Sequence, residues 1–417
     1  MGAPLKDHRQ AWQEHASPPP TAGFAEAPYA CFRLRPTAAA VASGFVRLLA
    51  QTPEQGERLC IAPAFAETPL LILASDRRVR LSHHPDDAAI EPVGPLARLS
   101  RAVRAFNPSY AKATLRFDGA AIYPDGGRSA VRNYRKLIKF ARAANMAFDG
   151  ENLRRHPELA LGFSDLQDAR RDAPERPGPS TAVALHLHYA ELWPEIAFLL
   201  KRWRARFQLI VTLTHEDDAL ARRIAADFPA AKVEVVENRG RDVRPFLQLL
   251  ESGALDAYEL VCKIHGKRSL RSGASPLFGE MFRRAAFLDL VGSDAQVEDI
   301  QIRFASEPLL GLVGPERFRA RSRHNDPAEI MGASRATIEA LARRMGAEIG
   351  QGEYDVFHGT MFWARPRALA RLRELGLAAN GFSPEAGRED GALEHAVEGL
   401  INHAVRATGF KVAGTSF

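Results

Sequence analysis

The segment NRGRD, residues 238–242, places two arginines, a glycine and an aspartate directly after an apolar run. Glycine permits a tight turn and lets the backbone approach a ligand, and arginine presents forked donors that match phosphate or carboxylate oxygens. A helix predicted to follow, RPFLQLL, would add free N–H groups at its start, which suit a phosphate. We therefore predict an anion-binding turn formed by Asn238, Arg239, Gly240, Arg241 and Asp242. The alternative is a salt-bridged turn in which Asp242 pairs with its neighbouring arginines.

A second polar segment, KIHGKRS, spans residues 263–269 and directly follows the apolar run YELVC. In an extended chain Lys263, His265 and Lys267 point to one side, with Ser269 following. Three such groups on one face repel each other unless an anion joins them, and a diphosphate suits that position. The alternative is a solvated basic turn, which does not explain the buried-looking run before it.

The elements that position these segments begin near Thr181, where predicted strands alternate with predicted helices. Five strands in a β-α-β-α series indicate an α/β fold with a mostly parallel sheet and helices on both faces. Thr214 is the predicted N-cap of the second of these helices, with Asp217 three residues later. Ligands of such sheets bind beyond the carboxyl ends of the strands. Four predicted strands end in polar groups, which indicates a site there: His188 with Tyr189, Thr214 with His215, residues 238–242 and residues 263–269.

The N-terminal part of the chain has a different pattern. We expect a flexible lead over residues 1–25, a β-rich or α+β accessory region of unassigned function over 26–165, a charged, proline-rich linker over 166–180 and the α/β domain over 181–417. Residues 130–146 predict a helix with an apolar side and a basic side. Such a helix either lies on an anionic membrane or is a solvated helix packed on its own domain.

Composition narrows the function classes. The 417 residues carry a formal net charge of +6, which fits a nucleotide, a phospholipid surface or a nucleic acid as partner. Three cysteines without a CxxC pair favour a reducing compartment, and no apolar run reaches the ~18 residues of a membrane span. Neither GxxxxGK[ST] nor GxSxG is present, and the HLH segment lacks a completing carboxylate. We expect a cytoplasmic protein that contacts the inner face of the cell membrane peripherally.

Five segments together resemble the rhamnan synthesis protein F family over about residues 181–400: VALHLHYAELWPEI, NRGRDVRPF, YELVCKIHGKRS, FHGTMFWARPRAL and DGALEHAVEGL. The resemblance implies biosynthesis of a cell-surface polysaccharide of the rhamnan, O-antigen or capsule type. It also implies a glycosyltransferase, rhamnosyltransferases included, with a nucleotide-sugar donor and a glycan or lipid-linked glycan acceptor. The donor-binding residues would be His188, residues 238–242, Lys263, His265, Lys267 and Ser269.

The order of parts is also similar to the GT-A glycosyltransferase plan, in which a strand ends in a metal-binding Asp-x-Asp motif. Here Lys-Ile-His-Gly-Lys takes that place, and its cations could neutralise a leaving diphosphate. We therefore expect metal-independent donor binding and no required cofactor.

The plan places acceptor and catalytic residues downstream. In FHGTMFWARP we expect His358, Gly359, Thr360 and Trp363 to bind acceptor or sugar, although Trp363 suits a core position equally well. In GREDGALEHAVEGL, Asp390 is the predicted base, Glu389 its alternate, and His395 a catalytic-site residue that orients the base together with Glu398. The alternative for Asp390 is a helix N-cap.

Two other function classes compete with a transferase. A binding or scaffold protein of the same fold without catalysis is consistent with the absent Asp-x-Asp pair. A nucleic-acid-binding protein would explain the basic clusters. However, phosphate-backbone binding normally spreads its cations over an exposed surface, so we expect no nucleic-acid partner.

Overall fold

The computed structural model describes residues 24–26, 31–54, 56–64, 68–74, 78–93, 108–117, 119–143, 150–166, 174–268, 276–322, 327–347, 349, 354–383 and 391–415. Its contacts divide the chain into two compact units. The first unit comprises residues 1–169 and 267–285, and the second comprises residues 170–266 and 286–417.

The first unit is β-rich, as predicted, and contains two antiparallel sheets. One has the strand order β1-β6-β3-β4 and the other β7-β2-β5-β9-β8. The strands are β1 Ala25–Glu26, β2 Cys31–Pro36, β3 Phe45–Thr52, β4 Gly56–Pro63, β5 Leu70–Ala74, β6 Arg80–His83, β7 Ala88–Pro92, β8 Leu115–Phe117 and β9 Ala120–Pro124. The helices are α1 Ala38–Ser43, α2 Pro108–Ala111, α3 Arg128–Ala143, α4 Gly150–Arg155 and α5 Glu158–Leu161.

Helix α3 is the basic amphipathic helix that the sequence predicts, and its apolar side packs within the first unit. Val131, Tyr134, Leu137 and Ile138 are buried there. The Tyr134 hydroxyl donates a hydrogen bond to the Pro63 carbonyl, and burial raises the pKa of that hydroxyl. The apolar side is therefore occupied by intramolecular contacts.

The second unit contains the predicted α/β pattern. Its strands are β10 Thr181–Leu187, β11 Gln208–Leu213, β12 Lys232–Val235, β13 Leu260–His265, β14 Leu310–Gly314, β15 Arg319–Arg321, β16 Asp355–Phe357, β17 Phe362–Ala364 and β18 Lys411–Gly414. The helices that follow α5 are α6 Trp193–Leu200, α7 Asp218–Asp227, α8 Val243–Glu251, α9 Leu277–Val291, α10 Asp294–Ser306, α11 Pro327–Met331, α12 Arg335–Arg344, α13 Ala370–Arg373, α14 Leu377–Asn380 and α15 Leu393–Ala407. Residues of α9 up to Ala285 belong to the first unit.

Seven of these strands form one mostly parallel sheet with the order β12-β11-β10-β13-β17-β14-β18. Strands β10 to β13 are parallel to one another, and β17 runs antiparallel between β13 and β14. Numbered along the chain, the order is 3-2-1-4-6-5-7. The direction of winding therefore reverses between β10 and β13, which is the position where open α/β sheets bind their ligands.

Burial differs sharply between the centre and the edge of this sheet. Every residue of β10 and β13 is buried, as expected for strands covered on both faces. Strand β12, which looked buried in the sequence, is an edge strand and Val235 at its end is 52% exposed. The predicted cap of α7 also differs, because Asp217 and not Thr214 caps the helix by accepting from the Leu220 amide. Asp217 is closer to the first helical turn, whereas the Thr214 hydroxyl contacts His188.

Candidate functional site

The parallel register brings three of the predicted polar strand ends into one row. His186 of β10 lies opposite Thr212 of β11 on one side and opposite His265 of β13 on the other. The next residues after these strands are therefore neighbours at the carboxyl edge. The expectation that these strands end at one edge of the sheet is confirmed.

His188 and Thr214 follow β10 and β11 and are in direct contact. His188 Nδ1 lies 2.7 Å from the Thr214 hydroxyl oxygen, and His215 Nδ1 lies 3.2 Å from the same oxygen. The His188 ring also packs edge-on against Tyr189. These rings are partly or fully exposed, so they line the part of the edge that a ligand can reach.

His186 is a buried residue of this row that the sequence did not single out. Burial lowers its pKa to about 3, opposed by Asp242 and reinforced by His265 and Lys263. Its Nδ1 lies 3.0 Å from the Thr212 hydroxyl. His186 is therefore a neutral hydrogen-bonding group beneath the site. Its position two residues before His188 was the only sequence signal.

The buried half of the site is organised around an ion pair between Asp242 and Lys263. Lys263 Nζ lies 2.6 Å from Asp242 Oδ2 and donates to the Thr360 carbonyl at 2.7 Å. The Thr360 hydroxyl donates to the same carboxylate oxygen, and the Lys263 ammonium lies 5.6 Å from the centre of the Phe246 ring. The Lys263 side chain is only 3% exposed. The anion that pairs with Lys263 is therefore the buried Asp242 carboxylate.

The charge state of Asp242 follows from this environment. Burial alone would raise the pKa of its carboxyl, but His265 at 3.8 Å and Lys263 at 2.6 Å attract the charged form. Together with the hydrogen bonds from Lys263 and Thr360, they hold the pKa well below its usual range. Asp242 thus pairs with cations from β13, and not with Arg239 or Arg241 as the alternative reading of NRGRD supposed.

Two strained turns meet at this ion pair. Arg241 and Thr360 are the non-glycine residues with positive φ among those described, at 52° and 50°. Each follows a glycine that also has positive φ, Gly240 or Gly359. The Gly359 carbonyl lies 2.8 Å from His265 Nε2. Left-handed side-chain-bearing residues are uncommon, and their clustering points to a functional site.

Arg241 extends outward from the first of these turns to helix α15. Its Nη1 donates to His395 Nε2 at 3.1 Å, and its Nε lies 3.7 Å from Glu394 Oε1. Because Arg241 can only donate, His395 Nε2 must be the unprotonated nitrogen. The proton of neutral His395 is then on Nδ1, which has no hydrogen-bond partner among the described residues. In this arrangement His395 positions Arg241.

His358 and Glu398 form the exposed counterpart of this contact. His358 Nδ1 lies 3.3 Å from Glu398 Oε1, and the two side chains are 49% and 24% exposed. A carboxylate accepts, so Nδ1 carries the proton and Nε2 presents its lone pair. Glu398 lies about one helical turn after His395 in α15. His358, which follows β16, therefore contacts α15 one turn away from His395.

Comparison with known proteins assigns this unit. A family model described as rhamnan synthesis protein F matches residues 164–410. The chain belongs to the rhamnan synthesis protein F family. Membership supports a role in polysaccharide biosynthesis. The family match covers six of the seven strands of the sheet, both strained turns and α15, and ends just before β18.

Two curated relatives are also similar to this chain. Both are called "Uncharacterized protein WxcX", from Xanthomonas campestris pv. campestris strains B100 and ATCC 33913. Each is 31% identical over 267 residues, covering 61% of this chain and 36% of the relative. The chain thus spans about a third of the length of these relatives.

The remaining predicted site residues of this rhamnan synthesis protein F family member lie in different environments. Asn238 is exposed, and Arg239 is 43% exposed with its Nε 3.3 Å from Glu237. Lys267 belongs to the first unit, where its ammonium lies 4.7 Å from the centre of the Phe282 ring. Ser269, Glu389 and Asp390 lie outside the described residues.

Trp363 lies in the core and is not an exposed platform for a sugar. Its side chain is fully buried, stacks on Trp203 at 5.6 Å and donates to the Leu290 carbonyl. The start of α8 also differs from expectation. The amides of Val243 and Arg244 already donate to the Gly240 carbonyl, so a ligand would meet fewer free N–H groups there.

Two kinds of feature are absent among the described residues. No group of three or more His, Cys, Asp or Glu side chains among them could hold a metal ion. Within the same ranges, no helix is long and apolar enough to cross a membrane.

Proposed function

We propose that the second unit is a glycosyltransferase domain that moves a sugar from a nucleotide-sugar donor to a glycan acceptor of a cell-surface polysaccharide. Its GT-A-like arrangement belongs to the same proposal. The observation that carries it is the set of polar contacts at the carboxyl edge beside the switch point between β10 and β13. They are His188 with Thr214, Asp242 with Lys263, and Arg241 with His395. Open α/β sheets bind their ligands in the crevice at this edge, and polar, partly exposed side chains lie there in a chain of the rhamnan synthesis protein F family, which supports a nucleotide-sugar enzyme.

The donor-binding side is best supported for residues that are accessible. Arg239, Arg241 and His188 are partly exposed at the carboxyl edge and offer donors to a diphosphate. Lys263 and His265 contribute differently, because both are buried and bonded to Asp242 or Gly359. In the proposal they fix the two strained turns and do not contact phosphate directly.

The catalytic base in the proposal is His358, oriented by Glu398. Nε2 of His358 takes the proton of the acceptor hydroxyl as the hydroxyl oxygen bonds to the anomeric carbon. The bond from that carbon to the donor phosphate breaks, and its electron pair leaves with the diphosphate. A histidine that donates one nitrogen to a carboxylate and presents the other is well suited to this role. Asp390 and Glu389 stay predicted bases from the sequence.

Two contacts between α15 and the strand β16 region support a fixed position for His358 and Glu398. A β-carbon at Gly399, next to Glu398, would overlap the Tyr354 hydroxyl, so glycine lets α15 approach the start of β16. Asp355 pairs with Arg319 at 2.7 Å and also with Arg406 of α15, which joins the helix to the strand. His358 directly follows β16, and this packing brings it to Glu398.

Donor binding is tested by a thermal-shift screen of the full chain against UDP, GDP, CMP, dTDP and their sugars. We expect one nucleotide series to raise the melting temperature of the wild type, and to raise that of Arg239→Ala less at the same nucleotide concentration. The exposed Arg223→Ala serves as the matched control. No shift with any nucleotide would count against the transferase.

Catalysis is tested with the donor identified in that screen. His358→Asn and Glu398→Gln should lower the transfer rate by about 10²-fold or more while leaving the donor shift intact. Asp390→Asn separates the two base assignments. If that variant alone loses transfer and His358→Asn keeps it, the base is not His358.

Metal independence is a further part of the proposal. Cationic side chains at the crevice would balance the diphosphate charge without a divalent ion. Transfer should therefore persist in a chelator. A strict loss of activity that Mn²⁺ or Mg²⁺ restores would contradict this.

A second candidate function is a nucleotide- or glycan-binding protein of the same fold without transfer. One observation favours it: the Lys263 ammonium, expected to meet the leaving diphosphate, is already neutralised by Asp242. Nucleotide binding without turnover on any tested acceptor would support this candidate.

A further inference from the structure

A row of cations runs along the solvent side of helix α3 in the first unit. The helix sequence, RSAVRNYRKLIKFARA, contains six basic residues and no acidic residue. At about 100° per residue, five of them fall within an arc of about 100° on one side of the helix. These five, called the basic stripe below, are Arg128, Arg132, Arg135, Lys136 and Lys139.

The basic stripe is exposed and has no ion pair within the part of the chain that the structure describes. All five side chains are exposed, and none makes a hydrogen bond or ion pair with another described residue. Their repulsion is tolerated because water screens exposed charges. Other arginines of this unit are paired, such as Arg33 with Asp125, Arg35 with Glu91 and Arg47 with Asp87, each at 2.8 Å. The stripe therefore differs from an ordinary salt-bridged surface.

We propose that the basic stripe docks the protein electrostatically on an anionic phospholipid surface. From Arg128 to Lys139 the stripe is about 16 Å long, a straight row that suits a flat surface. Clusters of four to eight Lys and Arg residues bind anionic headgroups in this way. Val131, Tyr134, Leu137 and Ile138 are buried within the unit, so the helix attaches without inserting an apolar face.

Two other anionic partners fit the stripe less well. A protein interface usually has an apolar or aromatic centre, and the five stripe residues include none. Single-stranded nucleic acid is usually bound with aromatic stacking platforms, which the stripe also lacks. Anionic headgroups bind through charge and do not require apolar or aromatic side chains, so they match the basic stripe best.

The test is sedimentation of the full chain with vesicles. Wild type should bind vesicles rich in phosphatidylglycerol and ignore phosphatidylcholine vesicles. Binding should fall as salt rises from about 0.1 M to about 1 M, where the Debye length drops from about 10 to about 3 Å. Arg132→Glu, Arg135→Glu and Lys139→Glu combined should lower the vesicle affinity at least about tenfold.

The matched control carries the same change in charge at exposed arginines of the second unit. It combines Arg222→Glu, Arg223→Glu and Arg343→Glu and should bind vesicles nearly like wild type. A glutamine version of the stripe variant guards against a folding defect, because it keeps helix propensity. Equal losses in both triple variants, or binding to neutral vesicles, would overturn the proposal. Tighter, stripe-dependent binding to a DNA or RNA duplex would also overturn it in favour of nucleic acid.

Discussion

The candidate site has a buried half and an exposed half that use the same residue types differently. In the buried half, the Lys263 side chain is 3% exposed and contacts Asp242 and Thr360. In the exposed half, Arg239 and His358 are 43% and 49% exposed. In both halves the polar residues lie at or just after the end of a strand, but only the exposed half presents its charges to solvent. Charge at the end of a strand therefore does not by itself identify a ligand-binding group.

The difference follows from the cost of burying charge. An isolated ammonium in the interior is strongly disfavoured, so Lys263 requires a carboxylate within reach. Asp242 supplies it and accepts the Thr360 hydroxyl as well. The exposed half has no such requirement, because water solvates Arg239 and His358. We infer that the buried half fixes the turns and the exposed half contacts ligand.

The largest effect should come from breaking the buried pair. Lys263→Met leaves the buried Asp242 without its closest cation, so we expect the free energy of unfolding to fall by about 3–5 kcal/mol. Urea unfolding followed by tryptophan fluorescence measures this, since Trp193, Trp203 and Trp363 are buried in the second unit.

Two comparisons sharpen that experiment. Lys232→Met removes an exposed lysine of the edge strand and should change stability little. Lys263→Met combined with Asp242→Asn should cost less than Lys263→Met alone, because no charge remains buried. If Lys263→Met were as stable as Lys232→Met, the structural role of the pair would be refuted.

A smaller effect concerns acid stability. The pKa of His186 is about 3 in the folded chain, below its ordinary value of 6.5. Between pH 6.5 and 3, His186 is therefore protonated in the unfolded chain and neutral in the folded chain. Stability therefore falls as the pH drops from 6.5 toward 3. His186→Gln removes this contribution and should lessen the slope by up to about 1.4 kcal/mol per pH unit. Unfolding free energies measured over that pH range provide the test. An unchanged slope would mean that His186 is not held neutral.

The smallest effect on stability is expected in the exposed half. Arg239→Ala should change the free energy of unfolding by no more than about 0.5 kcal/mol, because exposed ion pairs contribute little. The same substitution should weaken nucleotide binding about tenfold, as loss of one charge-assisted contact does. Calorimetric titration and urea unfolding of one preparation separate the two quantities. A large loss of stability would instead assign Arg239 to the buried half.

Much of the sheet could be predicted from the sequence because it depends on local pattern. The apolar run TAVALHL predicts β10, and the spacing of Lys263 and His265 correctly places both on the same side of β13. The partner of Lys263 could not be predicted. It depends on where the turn before α8 packs against β13, and Asp242 is 21 residues away along the chain. The adjacent arginines were the nearer choice in sequence but not in space.

Burial was the other quantity that the sequence did not determine. The alternation in KVEV predicts one buried face, but the place of this strand at the sheet edge leaves Val235 52% exposed. The sequence predicts a binding-site position and a core position for Trp363 equally well. Only its stacking on Trp203 in the structure places it in the core. His358 and Glu398 are 40 residues apart, and only the packing of α15 brings them together.

The edge position of β12 has a consequence for hydrogen exchange. Its four residues pair only with β11, whereas β13 lies between β10 and β17. Amides of Lys232–Val235 should exchange through local fraying, and those of Lys263–His265 only through far rarer, wider opening. The segment that bears Arg239 is thus attached at one end to a strand that opens readily and at the other to Asp242, which the ion pair holds. We expect the Arg239 end of this loop to adjust to a bound ligand and the Asp242 end to keep its position.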